Sequence, residues 1–188
     1  MLLERKQVNE AIAHFRKALA LQPDDAGLHH HFGAVLAKQG QMDEAIRHYQ
    51  EALRLNPDQA DAHNGLGVAL HEKGQMDEGI RQLQEAIRLE PDHTDAHYNL
   101  GVAFYQQGHT VEAIREFQAV IRLKPDHAEA HNNLGTALYQ QGRVGEAIQQ
   151  FQAALKLRPD YVEARRNLET VRATQGDSPP PPGAATNR

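Results

Sequence analysis

Histidine is the residue type whose number and spacing most invite a chemical interpretation. The 188 residues include twelve histidines, with three in a row at positions 29–31 and two pairs spaced four residues apart, His93 with His97 and His127 with His131. Two imidazoles at that spacing on a helix can hold a metal ion. Four histidines also recur at equal intervals along the chain, namely His29, His63, His97 and His131. A metal site has no need of such a period, so we interpret these four as occupying one structural position and expect no metal ion and no other cofactor.

Catalytic motifs are missing from the sequence. It contains no glycine-rich phosphate-binding loop and no nucleophile elbow, and the His71-Glu72 pair lacks a second histidine four residues after His71, where Gln75 stands. The chain has no cysteine, which removes thiolate nucleophiles and thiolate zinc sites. Four acidic residues align at the same interval, but carboxylates near helix starts offset the helix dipole and need no catalytic role. They are Asp61, Asp95, Glu129 and Glu163. We therefore expect a protein that is not an enzyme.

Composition and charge exclude several classes of partner. The chain is 40% hydrophobic and 24% charged, with twenty Lys and Arg against twenty-five Asp and Glu, a net charge of −5. Nucleic-acid binding proteins carry a basic surface, so a nucleic-acid partner is disfavoured. No run of about 18 apolar residues and no signal peptide stands in the sequence, so we expect no membrane association and a cytoplasmic location.

Proline placement reveals the organisation of the chain. Five prolines are evenly spaced and each is followed by aspartate: Pro23, Pro57, Pro91, Pro125 and Pro159. Two glycine positions and one glutamate position recur in the same register. They are Gly33, Gly67, Gly101 and Gly135; Gly40, Gly74, Gly108 and Gly142; and Glu10, Glu44, Glu78, Glu112 and Glu146. The interval from Pro23 to Pro57 is thus the repeat period of the chain, and a period of this length is typical of an array of small repeated units.

Each unit is predicted to be a pair of antiparallel helices, which we call its first and second helix. In the second unit Ala62, Leu66, Ala69 and Leu70 recur at helical spacing, and apolar residues do so again from Ile80 to Leu89. So small a helix pair cannot bury its apolar face alone. We therefore expect an all-α solenoid in which neighbouring pairs stack on a continuous core.

The breaks between helices agree with that interpretation. Gly74 suits the left-handed conformation that ends a first helix, and Pro91 ends the second helix. Asp92 or Asp95 is then available to cap the next first helix.

The polar face of the first helices can be located on a helical wheel. With Leu66 at the centre of the buried face, the residues within about 60° of the opposite side are free to meet a ligand. In the second unit these are Asp61, Asn64, Val68, His71 and Glu72. Their equivalents are Asp95, Tyr98, Val102, Tyr105 and Gln106, flanked by Asn99, and Glu129, Asn132, Thr136, Tyr139 and Gln140, flanked by Asn133. This face is neutral and rich in amides, and Arg166 is the one basic residue clearly placed on it.

The repeated segments resemble a known family. Residues 95–108, followed by Glu112-Ala-Ile and closed by Pro125, are similar to tetratricopeptide repeats. The resemblance covers residues 1 to about 175 and implies a right-handed superhelical solenoid of antiparallel helix pairs. It divides the chain into a partial repeat at 1–25 and complete repeats at 26–59, 60–93, 94–127 and 128–161. A histidine stands where the family usually has a large aromatic, and Gly79 replaces the alanine found at Ala45, Ala113 and Ala147.

The resemblance also implies a binding surface, because first helices of this family line the concave side of the superhelix. The groove residues expected on that basis are Asn64, His71, Tyr98, Asn99, Tyr105, Asn132, Asn133, Tyr139, Arg166 and Asn167. Asn99, Asn133 and Asn167 recur at the repeat period, and each carboxamide can match the backbone amide of an extended peptide. A similar asparagine ladder occurs in the repeat domain of O-linked N-acetylglucosamine transferases, although His31 and Gly65 interrupt it here. The alternative is that these asparagines serve repeat packing.

The two ends of the array differ. Residues 162–175 are predicted to form a capping helix, which buries Ala164, Leu168 and Val171 and exposes Arg165, Glu169 and Arg172. Residues 176–188, with four consecutive prolines, are predicted to be disordered. At the start, Val8 to Leu21 reads as a second helix whose partner is reduced to Leu2–Lys6. The apolar residues Ala11, Phe15 and Ala18 then lack cover, which favours truncation of a longer array or contact with another subunit.

These observations favour a protein-interaction scaffold that binds a peptide segment of a partner protein in its concave groove. Two alternatives stay open. The chain can be the substrate-recruiting region of a larger glycosyltransferase-like enzyme, or a structural array that self-assembles into a homo-oligomer through its open N-terminal end.

Overall fold

The computed structural model describes the backbone of residues 2–176 and the side chains of residues 10–174. Within that part of the chain every element is an α-helix, which confirms the predicted all-α array of helix pairs. The helices are α1 (Leu2–Leu21), α2 (Ala26–Lys38), α3 (Met42–Leu55), α4 (Ala60–Glu72), α5 (Met76–Leu89), α6 (Thr94–Gln106), α7 (Thr110–Leu123), α8 (Ala128–Gln140), α9 (Val144–Leu157) and α10 (Val162–Gly176). The first helices of the complete repeats are α2, α4, α6 and α8.

The chain divides into two compact units. The described residues up to 107 form unit 1, in which each of the helices α1 to α6 packs against its sequence neighbour and α4 also packs against α2 and α6. The described residues from 108 onward form unit 2, in which α8 packs against α7, α9 and α10. The predicted disordered tail lies outside the described residues from position 177 onward, and Gly176 is the last residue of α10.

The N-terminal helix differs from the prediction. Instead of a short remnant followed by a second helix from Val8, α1 runs without a break from Leu2 to Leu21. This stretch contains neither glycine nor proline, so no residue in it ends a helix. The predicted boundary relied on the repeat period rather than on a local stop signal.

Glycine ends the first helices as predicted. Gly74 has a φ of 79°, and the Gln75 amide donates to the Leu70 carbonyl at 2.9 Å while the Gly74 amide donates to the His71 carbonyl at 2.9 Å. This pair of hydrogen bonds is the Schellman arrangement, which requires a left-handed residue that glycine adopts without strain. The same turn recurs in each complete repeat, at Gly40, Gly74, Gly108 and Gly142.

The caps at the starts of α6 and α8 correct the prediction of an aspartate. His93, not Asp92 or Asp95, caps α6, since its Nδ1 accepts the Ala96 amide at 3.3 Å. His127 caps α8 in the same way, with Nδ1 accepting the Ala130 amide at 3.2 Å. An imidazole nitrogen without a proton is an acceptor, so histidine at this place does what aspartate does elsewhere. Asp95 lies in the first turn of α6, where its charge favours the helix dipole.

Small residues let the paired helices approach closely. Tyr49 of α3 lies against Gly33, where an added Cβ would be 3.0 Å from its ring, and against Gly65, where the distance would be 2.6 Å. Burial raises the pKa of Tyr49 to about 12, so its hydroxyl stays neutral. In unit 2, a Cβ added to Gly135 would likewise lie 2.7 Å from the ring of Phe151. The ring of one helix therefore fills the space left by a glycine of the other.

The last helix has the polar outer face that was predicted. Ala164, Leu168 and Val171 are buried against the rest of unit 2. Arg165, Glu169 and Arg172 are exposed, as expected of a capping helix. The prediction is confirmed residue by residue in these two sets.

Candidate functional site

A pocket of about 520 Å³ in unit 1 lies on the predicted ligand face of α4 and α6. It contains three of the predicted groove residues, His71, Tyr98 and Asn99. Its other lining residues are Val68, Glu72, Leu83, Val102 and Gln106. Apolar walls with a few polar groups are the usual composition of a site that binds a side chain or small ligand.

One rung of the asparagine ladder joins α4 to α6. Asn99 Nδ2 donates to Asn64 Oδ1 at 2.9 Å, so two predicted groove residues are bound to each other. The ladder does not extend to position 65, because a side chain on Gly65 would overlap the ring of Tyr49. A carboxamide has two donors and two acceptor sites, so each of these asparagines keeps hydrogen-bonding capacity for a ligand.

The equivalent asparagines of unit 2 form a small network. Asn132 is fully buried, accepts from Asn167 Nδ2 at 3.0 Å and donates to Asn133 Oδ1 at 3.3 Å. Burial of a polar side chain is costly unless it is hydrogen-bonded, and here both partners are asparagines of the same ladder. Asn132 therefore differs from the other predicted groove residues, since its carboxamide is inaccessible to a ligand.

The remaining predicted residues lie apart from these clusters. Tyr105 is half-buried on α6 and Arg166 is exposed on α10. Tyr139 is half-buried on α8, and its hydroxyl donates to Thr174 Oγ1 of α10 at 3.4 Å.

The periodic histidines hold the connections between repeats. His63 Nε2 lies 2.9 Å from the Pro57 carbonyl, and since a carbonyl only accepts, Nε2 carries the proton. Its Nδ1 lies 2.7 Å from the Gln82 amide of the second helix. The same pair of contacts recurs at His131, to the Pro125 carbonyl at 3.1 Å and Gln150 at 2.7 Å. Nε2 of His97 and Nε2 of His29 also lie 3.0 Å from the carbonyls of Pro91 and Pro23, which confirms that the four histidines occupy one structural position.

The bond to the proline carbonyl is also present in α10 and in the first complete repeat. In α10 the equivalent residue is Arg165, which donates to the Pro159 carbonyl at 2.6 Å. In the first complete repeat, His29 contacts the Pro23 carbonyl at 3.0 Å, and its Nδ1 lies 2.9 Å from Nδ1 of His48. Burial and the neighbouring charge of His29 lower the pKa of His48 below its ordinary value.

The charges around the pocket are acidic. The segments of α4 and α6 contain Asp61, Glu72 and Asp95 but no lysine or arginine. Asp61 Oδ1 lies 3.2 Å from His93 Nε2. In unit 2, by contrast, Glu129 forms an ion pair with Arg158, which holds the pKa of that carboxyl below its usual range. Glu129 is thus not available as a ligand group in the way that its position on the wheel predicts.

A larger cavity of about 880 Å³ lies between α3, α4 and α5. Its floor is apolar, formed by Leu53, Leu66, Leu70 and Met76, and its rim includes Glu78 and Arg81, which pair with each other. None of the predicted groove residues lines it.

Two further features bear on other functions. Among the described residues, no three His, Asp or Glu side chains come together as a metal-binding group. Within the same part of the chain, every helix is too short or too polar to cross a membrane.

The sequence predicts the helix face on which the pocket lies, but not which residues line the pocket. Val68, Glu72, Val102 and Gln106 fall on the predicted free face, but a helical wheel does not show that they line a pocket. Leu83 is buried, and its place in the repeat predicts only a core residue. The available signal is a comparison of repeats, because the same position holds Phe15, Tyr49, Phe117 and Phe151 elsewhere in the chain.

Known proteins resemble this chain in sequence pattern and in structure. The family pattern described as TPR repeat matches residues 1–40, 33–74 and 69–108, and the one described as Tetratricopeptide repeat matches residues 107–162. No curated protein matches the sequence.

Solved structures share the fold over most of the chain. The crystal structure of YrrB, described as a TPR protein with an unusual peptide-binding site, is 26% identical, covers 89% of this chain and 87% of its own, and has a TM-score of 0.73. That of MamA is 27% identical, covers 82% and 90%, and has a TM-score of 0.75. A MamA structure from Desulfovibrio magneticus RS-1 is 22% identical, covers 81% of this chain and 86% of its own, and has a TM-score of 0.75. At this level of identity the likeness shows a shared fold alone. With the periodic glycines, prolines and helix pairs described above, these matches lead to one conclusion: the chain belongs to the tetratricopeptide repeat family.

Proposed function

We propose that this protein is an interaction scaffold that holds a peptide segment of a partner protein along the exposed face of its first helices. Family membership and the fold shared with YrrB, a peptide-binding TPR protein, support a role in protein binding. The observation that carries the finer proposal is the pocket of about 520 Å³ between α4 and α6, which lies on the predicted ligand face. Catalysis has no part in this function.

The chemistry of this face suits a peptide. Val68 and Val102 offer apolar contact for a side chain, while Asn64 and Asn99 keep amide groups for the backbone of an extended segment. The proposed contact residues are Asn64, His71, Tyr98, Asn99, Tyr105, Asn133, Tyr139, Arg166 and Asn167, with Val68, Glu72, Val102 and Gln106 added from the pocket.

The test begins with a peptide selected from a phage-displayed random dodecamer library and then synthesised. We expect Val102→Tyr to fill the pocket and weaken binding of this peptide more than about ten-fold, as loss of a central contact does. Val111→Tyr is the matched control, because Val111 is 49% exposed on the second helix α7. Titration by fluorescence polarisation measures both, and circular dichroism establishes that both variants fold.

Equal affinity of wild type and Val102→Tyr would contradict the proposal. So would an equal loss in Val111→Tyr, because binding would then involve the second helices.

Self-association through α1 is a second candidate function. Leu21 at the end of α1 is 78% exposed, whereas Leu55 and Leu89 at the same place in the next two repeats are partly buried. An apolar side chain left so exposed favours contact with a second copy of the chain.

A further inference from the structure

The pocket between α4 and α6 exists because the second repeat departs from the others at the helix interface. Its floor is Leu83, at a position that holds an aromatic residue in every other repeat: Phe15, Tyr49, Phe117 and Phe151. Leu83 packs on Gly67, where an added Cβ would lie 2.7 Å from Leu83 Cγ, just as Phe151 packs on Gly135. Leucine is smaller than a phenyl ring, so the substitution leaves space beneath the exposed face.

The walls of the pocket match the stem of a long side chain. Val68 of α4 and Val102 of α6 are half-buried and line it. Methylene groups of lysine or arginine pack well on such apolar surfaces while the charged head stays near water. The Tyr98 side chain also lines the pocket, and a tyrosine ring attracts a cation placed over its face.

The charge at the rim selects a cation. Glu72 is exposed at the end of α4 and forms no ion pair with any described residue. Several other glutamates of the described part of the chain form ion pairs: Glu51 with Arg54, Glu85 with Arg88, Glu129 with Arg158 and Glu146 with Arg143. The equivalents of Glu72 in the other complete repeats are Lys38, Gln106 and Gln140, so the carboxylate is particular to the repeat that has the pocket.

His71 adds a polar atom to the same site. Its Nε2 is buried and has no hydrogen-bond partner in the described part of the chain. A buried polar atom without a partner is uncommon in folded proteins and marks a place where a ligand or water completes the bonding. Because an imidazole nitrogen can accept as well as donate, it can bind an ammonium or guanidinium group.

We propose that this pocket receives the side chain of a lysine or arginine in the bound segment, an inference that rests on the function proposed above. The aliphatic stem lies between Val68 and Val102 over Leu83, and the cationic head lies beside Glu72. A partner of this protein is therefore a segment with at least one basic residue rather than an acidic or wholly apolar one.

The experiment uses pools of acetylated and amidated hexapeptides in which one position is fixed and the others are mixed. The fixed residue is lysine, arginine, norleucine or glutamate, and norleucine has an aliphatic stem without the charge. We expect the lysine and arginine pools to bind the full chain about five-fold more tightly than the norleucine pool, as a partly exposed ion pair allows. The glutamate pool is expected to bind most weakly.

Two test variants and one control variant locate the effect. Glu72→Gln is expected to abolish the difference between the lysine and norleucine pools, because it removes the charge that the cationic head contacts. Glu112→Gln, which removes an exposed carboxylate from the second helix α7, controls for net charge and is expected to keep the difference. Leu83→Phe restores the residue type of the other repeats, so we expect it to fold and to bind lysine and norleucine pools alike.

The outcomes separate this inference from the proposed function. Binding without preference for a basic residue, or a preference that survives in Glu72→Gln, would overturn the inference and leave peptide binding standing. If no pool binds, both the inference and the proposed function are overturned.

Discussion

At the residue scale, several histidines of this protein cap helices or close the loops between repeats. His93 and His127 cap helices, while His63 and His131 bind the carbonyl of a proline six residues earlier. A capping histidine needs a ring nitrogen without a proton, and a histidine that binds a carbonyl needs a ring nitrogen with one. The neutral imidazole ring has one nitrogen of each kind. Histidine pairs spaced four residues apart are thereby explained by two different structural roles on one helix.

The contact between His29 and His48 leads to a pH prediction. A single proton can occupy the 2.9 Å gap between the two Nδ1 atoms, and burial lowers the pKa of His48 further. Since the pKa is lower in the folded state than the ordinary 6.5, the unfolded state binds more protons below that pH. Stability is therefore present above pH 6.5 and decreases as the pH falls below it. We expect the melting temperature to fall between pH 7.5 and pH 5.5.

The variant His48→Gln isolates this contact. It recreates the pairing of His63 with Gln82, in which the amide can donate to Nδ1 of the neutral ring through its NH2 group and accept from the protonated ring through its oxygen. We expect a smaller fall in melting temperature than in wild type over the same pH range, measured by circular dichroism. The charges of Glu44, Arg47 and Arg16, which also face His48, stay unchanged in this comparison. An identical fall in both proteins would contradict the assignment to His48.

At the element scale, the second repeat is built on closer helix contact than its neighbours. Gly67 of α4 and Gly79 of α5 face each other, so that a Cβ on Gly79 would lie 2.7 Å from the Gly67 carbonyl oxygen. Every other complete repeat has alanine at the position of Gly79. In the first complete repeat the matching gap is wider, since a Cβ on Gly33 would lie 3.3 Å from the Ala45 carbonyl oxygen, against 2.9 Å between a Cβ on Gly67 and the Gly79 carbonyl oxygen. Gly79 and Leu83 together thus shape the interface that bears the pocket.

Substitution of this glycine gives a prediction opposite to what the repeat pattern suggests. Gly79→Ala is expected to destabilise the protein by about 1–3 kcal/mol, because the new methyl group overlaps backbone atoms that cannot move freely. Gly145→Ala in α9 is the control, since no atom lies within 4 Å of its added Cβ. We expect that change to stabilise the protein by about 0.5 kcal/mol through the lower entropy of the unfolded chain. Urea denaturation of both variants measures the difference, and a stabilising Gly79→Ala would refute the packing argument.

At the scale of the whole molecule, the two ends of the array are built differently. The helix α10 turns charged residues outward and buries its apolar ones, which closes that end. The helix α1 packs on α2, with Phe15 half-buried against the ring of Phe32 at a centroid distance of 5.4 Å, and it contacts α3 through the ion pair of Arg16 with Glu44. Among the described residues, α10 therefore has a polar outer surface and α1 is only partly covered.

This asymmetry predicts concentration-dependent association. We expect light scattering coupled to size exclusion to detect a dimer that grows over a hundredfold concentration range, and Leu21→Glu to abolish it. Val162→Glu is the matched control, because Val162 is 74% exposed at the start of α10. Leu21 is preferred to Phe15 for this test, since Phe15 also packs on the core. A monomer at every concentration would remove self-association as a function and leave peptide binding as the single proposal.

Most of the fold follows from the sequence because the signals are local and repeated. The constant repeat period, the glycine after each first helix and the proline after each second helix are enough to predict the helix pairs. The start of α1 and the caps of α6 and α8 are exceptions. At α1 the prediction assumed a break at the repeat boundary, but no glycine or proline is present to end the helix. At the caps it assumed an aspartate, but a histidine nitrogen accepts the hydrogen bond instead.

The sequence by itself determined the fold class and the repeat period, and it predicted the face on which a ligand is expected, because each depends on periodic spacing along one chain. Only the tertiary structure decided which residues of that face are accessible. Asn132 is buried in a network of carboxamides, Glu129 is paired with Arg158, and Asn99 is bound to Asn64. The pocket over Leu83 likewise depends on how two helices pack. A helical wheel gives the direction of a side chain, whereas burial and pairing depend on residues from other helices that the wheel does not contain.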